Sequence, residues 1–177
     1  MCAWLTLDGT NIDYPVLQGE SNLSYINTDV YGNFALAGSI FLDSRNSSTF
    51  ADVFSLLYGH HMENSQMVGD LDKYRSVDFL QQTNTGTLLV PGGRYALRVF
   101  ACIVVSASDD LIYQPLQWQA DNVPAMLDRL QADALCVDQA AMDDLRTAQN
   151  LKVLCMSTCS SDYTDARTVV LAAMQLE

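Results

Sequence analysis

Positively charged residues are scarce in this chain of 177 residues: Lys and Arg number 9 against 21 Asp and Glu, and the formal net charge is -12. Such a chain repels phosphate backbones, so we exclude nucleic-acid binding. The acidic residues are spread thinly, which is typical of a soluble surface and not of a recognition patch. The sequence contains only 2 Lys. An Arg beside a candidate nucleophile is therefore of interest.

Long apolar runs and metal-binding cysteine patterns are also missing. No stretch reaches the roughly 18 apolar residues of a transmembrane helix, and the first residues lack the features of a secretion signal. The 5 Cys form no Cys-x-x-Cys pair and no Cys/His cluster. We therefore predict no zinc site, no disulfide framework, no metal and no cofactor, with at least one thiol unpaired. The apolar share of 49% supports a buried core in a single domain spanning residues 1–177.

Short apolar runs separated by turn residues predict a chain of mostly antiparallel β-structure, rich in hairpins. The predicted strands are residues 4–7, 14–17, 39–42, 54–58, 87–90, 95–105, 151–158 and 167–174. Residues 67–82 and 121–148 look helical instead, with a further helix at 139–148. Asn122 suits an N-cap there, and Pro124 suits a first helical turn. The predicted core stripe of this region consists of Val123, Met126, Leu127, Leu130 and Leu135.

A candidate nucleophile lies where the last but one predicted strand gives way to a loop. This residue is Cys159, and a hairpin would bring Arg167 within about 5.5 Å of it at the backbone. A thiolate that attacks an amide carbonyl produces an oxyanion, which a guanidinium stabilises. A proton carrier is then required, and the residues alone leave open whether His60 or His61 acts. The other cysteines are interpreted as packing residues: Cys2, Cys102, Cys136 and Cys155.

Two motifs around these residues resemble the signatures of sortases. They are residues 58–62 (YGHHM) and residues 157–167 (STCSSDYTDAR). Residues 10–19 (TNIDYPVLQG) and 38–46 (GSIFLDSRN) are similar to the class B branch in particular. Together these segments cover nearly the whole chain in the expected order. The chain thus resembles class B sortases, a family of cysteine transpeptidases.

The resemblance implies a mostly β fold, an eight-stranded sortase-type β-barrel with peripheral helices. It also implies a helical insertion between strands 6 and 7 of the barrel, where residues 109–150 match. In the family's active site His60 corresponds to the catalytic His, Cys159 to the nucleophile and Arg167 to the oxyanion-stabilising cation, so that His61 is a neighbour. Four further positions match substrate-binding residues of the family: Asn22, Ile26, Ser157 and Thr158.

Sortases cut a C-terminal sorting signal after Thr, hold the acyl group as a thioester and transfer it to an amine. For class B the resemblance implies a signal similar to Asn-Pro-x-Thr-x on a secreted surface protein. The acceptor would be an amine of a peptidoglycan cross-bridge or, in a minority of members, a pilin Lys.

The resemblance also implies a place for the protein in the cell. We expect an upstream segment with a membrane anchor, which would hold the enzyme on the extracytoplasmic face of a Gram-positive cell membrane. Two other functions stay open from the residues. One is a cysteine endopeptidase that releases the acyl group to water, and the other is a non-catalytic barrel that binds peptides.

Overall fold

The computed structural model describes residues 1–62, 65–148, 150–159 and 165–177, and of Cys159 it describes the main chain only. Residues 160–164, which belong to the second motif, lie outside the described residues. The strands of the described residues are β1 (Ala3–Leu7), β2 (Asp13–Leu17), β3 (Ile40–Leu42), β4 (Phe54–Tyr58), β5 (His61–Met62), β6 (Gln66–Met67), β7 (Thr85–Val90), β8 (Gly93–Ser106), β9 (Ala134–Val137), β10 (Val153–Cys159) and β11 (Ala166–Leu176).

Eight of these strands close into a barrel. Their order is β11-β10-β4-β3-β2-β1-β7-β8, and the ring closes because β8 also pairs with β11. The pairs β2/β3 and β4/β10 are parallel, whereas the other barrel pairs are antiparallel. The strand β9 pairs with the second half of β8. The predicted mostly β, eight-stranded barrel is therefore confirmed.

The interior of the barrel is filled by aliphatic side chains from every strand of the ring. Each strand contributes at least one side chain that is no more than 2% exposed: Leu5, Val16, Ile40, Leu57, Leu88, Leu97, Leu154 and Val170. Burying a side chain of this size stabilises a fold by about 1.5–3 kcal/mol. The barrel interior is therefore the main core that holds the strand ends in place.

A second apolar cluster lies on the outer face of the barrel, under the helices. In β10, Val153 and Cys155 belong to this outer cluster, while Leu154 and Met156 face the interior. Successive side chains alternate between the two faces of a strand, and here both faces are covered. This explains why the sequence of β10 is an almost unbroken apolar run up to Ser157.

The first predicted helix, residues 67–82, is helical only in part. A 3-10 helix runs over Gly69–Arg75, and α1 follows at Val77–Gln82. Met67 lies in β6 and has a φ of 53°. Because a right-handed helix requires negative φ, no continuous helix passes through Met67. Ser76 begins α1, where its hydroxyl accepts a hydrogen bond from the Phe79 N–H.

The predicted insertion lies between β8 and β10, the sixth and seventh strands of the barrel. Its helices are α2 (Asp110–Tyr113), a 3-10 helix (Pro115–Gln117), α3 (Val123–Asp133) and α4 (Gln139–Thr147). Pro124 lies in the first turn of α3, as predicted. Asn122 occupies the N-cap position of α3, as predicted, but its side chain makes no capping hydrogen bond to the helix. Instead, its amide group donates to the Gln117 carbonyl, and its oxygen accepts from the Gln119 N–H.

The predicted core stripe of this region is wrong at its last position. The helix α3 ends at Asp133, and Leu135 lies in β9 with 50% of its surface exposed. The neighbouring Cys136 is buried instead, since adjacent strand residues face opposite sides. None of the helices in the described parts of the chain combines the length and the apolar character that a membrane-spanning helix requires.

Candidate active site

The hairpin of β10 and β11 places Cys159 directly opposite Arg167. Cys159 is the last residue of β10, and its main chain is the register partner of Arg167 in β11. Residues opposite each other in an antiparallel pair have Cα atoms about 4.5–5.5 Å apart. Arg167 is half-buried, and its Nη1 donates to the Ala166 carbonyl at 2.8 Å. The predicted pairing of these two residues is therefore present at the main-chain level.

Main-chain contacts hold His60 just after β4. The Gly59 N–H donates to the Ser157 carbonyl of β10 at 3.2 Å, so the turn before His60 is tied to the strand that ends at Cys159. The imidazole Nε2 lies 2.8 Å from the Ile26 carbonyl oxygen. A carbonyl only accepts hydrogen bonds, so Nε2 carries a proton, and in the neutral ring Nδ1 is the basic nitrogen. Any proton that this ring exchanges with a substrate is therefore held at Nδ1.

His60 and Arg167 share one cleft of about 420 Å³ at this end of the barrel. The cleft is lined by Ile26, Phe41, Arg45, Tyr58, Gly59, His60, Ala107, Tyr113, Ser157, Thr158 and Arg167. His60 and Arg167 therefore line the same cleft beside the strand end that carries Cys159. A cleft of this size accommodates an extended peptide of a few residues.

Three of the four predicted substrate-binding residues line this cleft. The Ser157 hydroxyl shares a hydrogen bond of 2.7 Å with the Tyr113 hydroxyl of α2. The Thr158 hydroxyl is buried and has no hydrogen-bond partner among the described residues. Ile26 presents its carbonyl to His60. The cleft is thus built from β10, from the loop after β2 and from the helical insertion.

Asn22, the fourth predicted substrate-binding residue, is not among the residues that line the cleft. Its side-chain amide donates to Asp43 Oδ2 at 2.9 Å, and its oxygen accepts from the Ser44 N–H at 2.7 Å. Asn22 therefore connects the loop after β2 to the end of β3.

The sequence and the structure of the chain were compared with those of known proteins. No protein-family model matches the chain. The sortase B of Listeria monocytogenes is 32% identical over 174 residues, which cover 96% of this chain and 68% of that protein. The chain belongs to the class B sortase family. It is therefore an enzyme of the sortase transpeptidase type.

Other class B sortases resemble the chain in sequence and in structure. The sortase B of Staphylococcus aureus is 29% identical over 171 residues, which cover 96% of this chain and 68% of that protein. The structure of a Streptococcus pyogenes class B sortase involved in pilus biogenesis superposes with a TM-score of 0.88 and 34% identity, covering 98% of this chain and 91% of that chain. A Staphylococcus aureus sortase B–substrate complex superposes with a TM-score of 0.82 and 27% identity, covering 98% and 79%.

The other cysteines of this class B sortase are buried away from solvent: Cys2, Cys102, Cys136 and Cys155. Burial raises the pKa of all four thiols, and that of Cys102 to about 12. A thiol of raised pKa is a poor nucleophile at neutral pH, because the thiolate is the reactive form. This agrees with their interpretation as packing residues.

Among the described residues, no group of three or more His, Cys, Asp or Glu side chains is placed to hold a metal ion.

An ion pair between a buried carboxylate and a partly exposed arginine, which the sequence did not predict, supports the wall of the cleft. Asp43 is fully buried, and its carboxylate accepts from Arg45 Nε and Nη2 at 2.9 and 2.7 Å. The Tyr58 hydroxyl donates to the same carboxylate at 2.9 Å. Arg45 Nη2 also donates to the Tyr113 carbonyl at 2.9 Å. The pair thereby joins the end of β3 to the insertion that forms the opposite side of the cleft.

Substitution of Asp43 by Asn should destabilise the protein by about 2 kcal/mol at neutral pH, because it removes the charge of a fully buried carboxylate that accepts hydrogen bonds from Arg45 and Tyr58. Burial alone would raise the pKa of Asp43, but hydrogen bonds from Arg45, Tyr58 and Asn22 outweigh it and hold the pKa below its usual value. Because its pKa is lower in the folded state, the Asp43 carboxylate stabilises the folded protein at pH values above the unfolded-state pKa of about 3.9. This stabilisation is lost as the pH falls through the pKa of Asp43 in the folded state.

Urea unfolding of the wild type and of Asp43→Asn at about pH 7 and about pH 3 measures this effect, and the difference should shrink at the lower pH. Asp144→Asn is the matched control. Its carboxylate is 78% exposed in a contact with Arg98, and its loss should cost less than about 1 kcal/mol. An equal difference at both pH values would contradict the ionised state of Asp43.

Proposed function

We propose that Cys159 is the nucleophile of this sortase, His60 its proton carrier and Arg167 its oxyanion-stabilising cation, within one catalytic domain spanning residues 1–177. The observation that carries the proposal is the register of Cys159 with Arg167, next to a cleft that His60 and Arg167 both line. Residues far apart in sequence are thus gathered at one barrel end. A nucleophile, a proton carrier and a fixed cation are the groups that acyl transfer requires.

The chemistry follows from these three groups. The Cys159 thiol passes its proton to Nδ1 of His60, and the resulting thiolate forms a bond to the carbonyl carbon of the substrate Thr. The carbonyl oxygen takes up negative charge that the Arg167 guanidinium stabilises. The carbon–nitrogen bond then breaks, while His60 gives the proton at Nδ1 to the leaving amine. A thioester remains on Cys159. An incoming amine attacks the thioester, His60 takes up a proton from this amine, and the Cys159 thiolate leaves.

The substrate is proposed to be a sorting signal similar to Asn-Pro-x-Thr-x in an extended conformation. Ile26, Ser157 and Thr158 are among the residues that line the cleft such a peptide would occupy. Asn22 stays a predicted contact, and its bonds to Asp43 and Ser44 would have to coexist with peptide binding. One structural neighbour is described as a sortase B–substrate complex and another as sortase B complexed with triglycine, which supports a peptide donor and an amine acceptor.

The acceptor amine is proposed to belong to a peptidoglycan cross-bridge. A pilin Lys is the second candidate, because one structural neighbour is involved in pilus biogenesis and another comes from a type II pilus. Release to water, which would make the enzyme an endopeptidase, is the third outcome. In each case the enzyme would work at the extracytoplasmic face of the membrane, where sorting signals and cell-wall amines occur together.

A peptide assay tests the proposal. A peptide containing Asn-Pro-x-Thr-x is incubated with the protein alone, with triglycine and with a lysine whose α-amine is blocked, and the products are identified by mass spectrometry. We expect a new amide that contains triglycine and little hydrolysis product. A peptide with Leu in place of Asn is the control and should be cleaved poorly. Hydrolysis that no amine alters would favour the endopeptidase, and failure to cleave any such peptide would contradict the proposed substrate.

A further inference from the structure

A single carboxylate bridges the two segments that carry His60 and Arg167. It belongs to Asp72, which lies in the 3-10 helix Gly69–Arg75. Its Oδ2 accepts a hydrogen bond from His61 Nε2 at 2.9 Å, and its Oδ1 accepts one from the Thr168 hydroxyl, also at 2.9 Å. The two bonded residues come from distant parts of the chain, since Thr168 is 96 residues from Asp72. The carboxylate therefore uses both of its oxygens to join the 3-10 helix to two separate strands.

Both residues that Asp72 binds are sequence neighbours of proposed catalytic residues. His61 directly follows His60, and Thr168 directly follows Arg167. Thr168 is fully buried in β11, so its hydroxyl needs a partner within the protein, and Asp72 supplies it. A shift of Asp72 would therefore be transmitted to the backbone on either side of the cleft.

The 3-10 helix is also held close to the segment of His60 by its main chain. The Val68 N–H, just before the helix, donates to the His60 carbonyl at 3.4 Å. At Gly69 a Cβ atom would lie 2.7 Å from the Met62 carbonyl oxygen, which is closer than real Cβ contacts. Glycine is thus required for the start of the helix to approach β5 this closely. These contacts hold the 3-10 helix, and with it Asp72, close to the segment of His60.

The side chains of Asp72 and His61 are 39% and 37% exposed. Ion pairs with this much solvent contact contribute little to global stability, because water screens them and the long side chains lose freedom. The Asp72–His61 contact is therefore poorly explained as a stabilising bridge. Its two-sided geometry is better explained by the need to fix the relative position of two strands.

We propose that Asp72 is a positioning residue, whose carboxylate sets the placement of His60 through His61 and of Arg167 through Thr168. The inference rests on the proposed catalytic roles of His60 and Arg167. It gives His61 a function that differs from catalysis, namely to fasten β5, which directly follows His60, to the 3-10 helix. Small displacements of a catalytic group reduce turnover more than they reduce substrate binding.

Steady-state kinetics of Asp72→Ala, His61→Ala and Thr168→Val test the proposal. We expect Asp72→Ala to lower kcat by on the order of tenfold, with KM changed less than about twofold, after active sites are counted by thiol alkylation. The double variant Asp72→Ala/Thr168→Val should be no worse than Asp72→Ala, since both changes remove one contact. Asp72→Asn should recover most of the activity, because an amide accepts from Thr168 and can donate to a neutral His61. Asp78→Ala removes an exposed carboxylate of α1 and is the matched control.

Histidine NMR gives a readout that is independent of turnover. The chain contains only 2 His, so a sample labelled in histidine shows one ring each for His60 and His61. In the wild type the His60 ring should be the Nε2–H tautomer that donates to Ile26. In Asp72→Ala the ring of His60 should change its shifts and populate both tautomers, although the Asp72 carboxylate is hydrogen-bonded to the ring of His61 and not to that of His60. The control Asp78→Ala should leave both rings unchanged.

The possible outcomes separate this inference from the proposed function. If kcat per active site and the His60 ring are unchanged in Asp72→Ala while His60→Ala is inactive, the positioning role is wrong and the proposed function stands. If His60→Ala retains full activity, the proposed function itself fails. A fall in melting temperature without a change in kcat per active site would make Asp72 purely structural and would also overturn the inference.

Discussion

Substitution of Cys159 by Ala is expected to abolish both peptide cleavage and amide formation. The proposed acyl intermediate is a thioester, which has no counterpart without the sulfur. The four other thiols are buried, and burial raises their pKa values, so none of them can replace the nucleophile. Removal of a catalytic nucleophile costs on the order of 10⁶-fold in turnover, so the activity should fall to background. Product formation from the sorting peptide, followed by mass spectrometry, measures this loss.

The folded state should survive the same substitution, because Cys159 is the last residue of β10 and precedes a connecting segment. Circular dichroism and thermal unfolding of the variant check this. Cys2→Ala is the matched control, since it also removes one thiol and Cys2 is not among the residues that line the cleft. It should retain full turnover. Turnover that persists in Cys159→Ala would remove the proposed mechanism.

Most strands could be predicted from the sequence because their signals are local. Alternating or continuous apolar runs bounded by Gly, Pro and Asn mark β1, β2, β4 and β8 within a few residues of their observed ends. Their pairing is not local. The barrel closes through β8 and β11, and the parallel pair of β4 with β10 joins segments about a hundred residues apart, which no turn signal encodes. For this reason the pattern indicated hairpins, and the resemblance supplied the barrel.

In the helical insertion, the spacing of apolar residues predicted one core residue wrongly. Val123, Leu127 and Leu130 recur at helical spacing and are buried in α3. Leu135 extends the pattern only by chance, because the chain leaves the helix at Ala134 and pairs with β8. A strand of four residues carries too few positions to show alternation. Tertiary pairing with an available edge of β8 therefore overrides the local helical pattern.

The candidate active site likewise contains some residues that could be predicted from the sequence and others that could not. His60, Cys159 and Arg167 belong to short motifs and could be proposed from the sequence. Asp43, Arg45 and Asp72 could not, because each also binds a residue that is remote in the chain. Tyr58 donates to Asp43 from 15 residues away, Arg45 binds the carbonyl of Tyr113, 68 residues away, and Asp72 binds Thr168, 96 residues away. Asp and Arg are mostly surface residues, so the sequence around one of them does not indicate whether it binds a distant residue. The residues that support a site are therefore found only once the fold is known.

Substitution of Arg167 by Ala is the second large effect that we expect. The guanidinium lies opposite Cys159 in the strand register and lines the cleft, where the oxyanion of each tetrahedral intermediate would form. Removal of one oxyanion donor typically costs about 10²- to 10³-fold in kcat, and we expect a loss of about this size with little change in KM. Steady-state kinetics on the sorting peptide with triglycine measure both constants.

Arg167→Lys separates charge from geometry. The Nη1 atom of Arg167 donates to the Ala166 carbonyl at 2.8 Å, so one arm of the guanidinium fixes the group while the others can face the substrate. A lysine ammonium keeps the charge but lacks this planar fork, so the variant should recover little of the lost kcat. Alkylation of Cys159 by iodoacetamide should proceed at a similar rate in all three proteins, because it requires the thiolate and forms no oxyanion. A parallel fall in alkylation and in turnover would mean that Arg167 acts by favouring the thiolate, and the oxyanion role would be wrong.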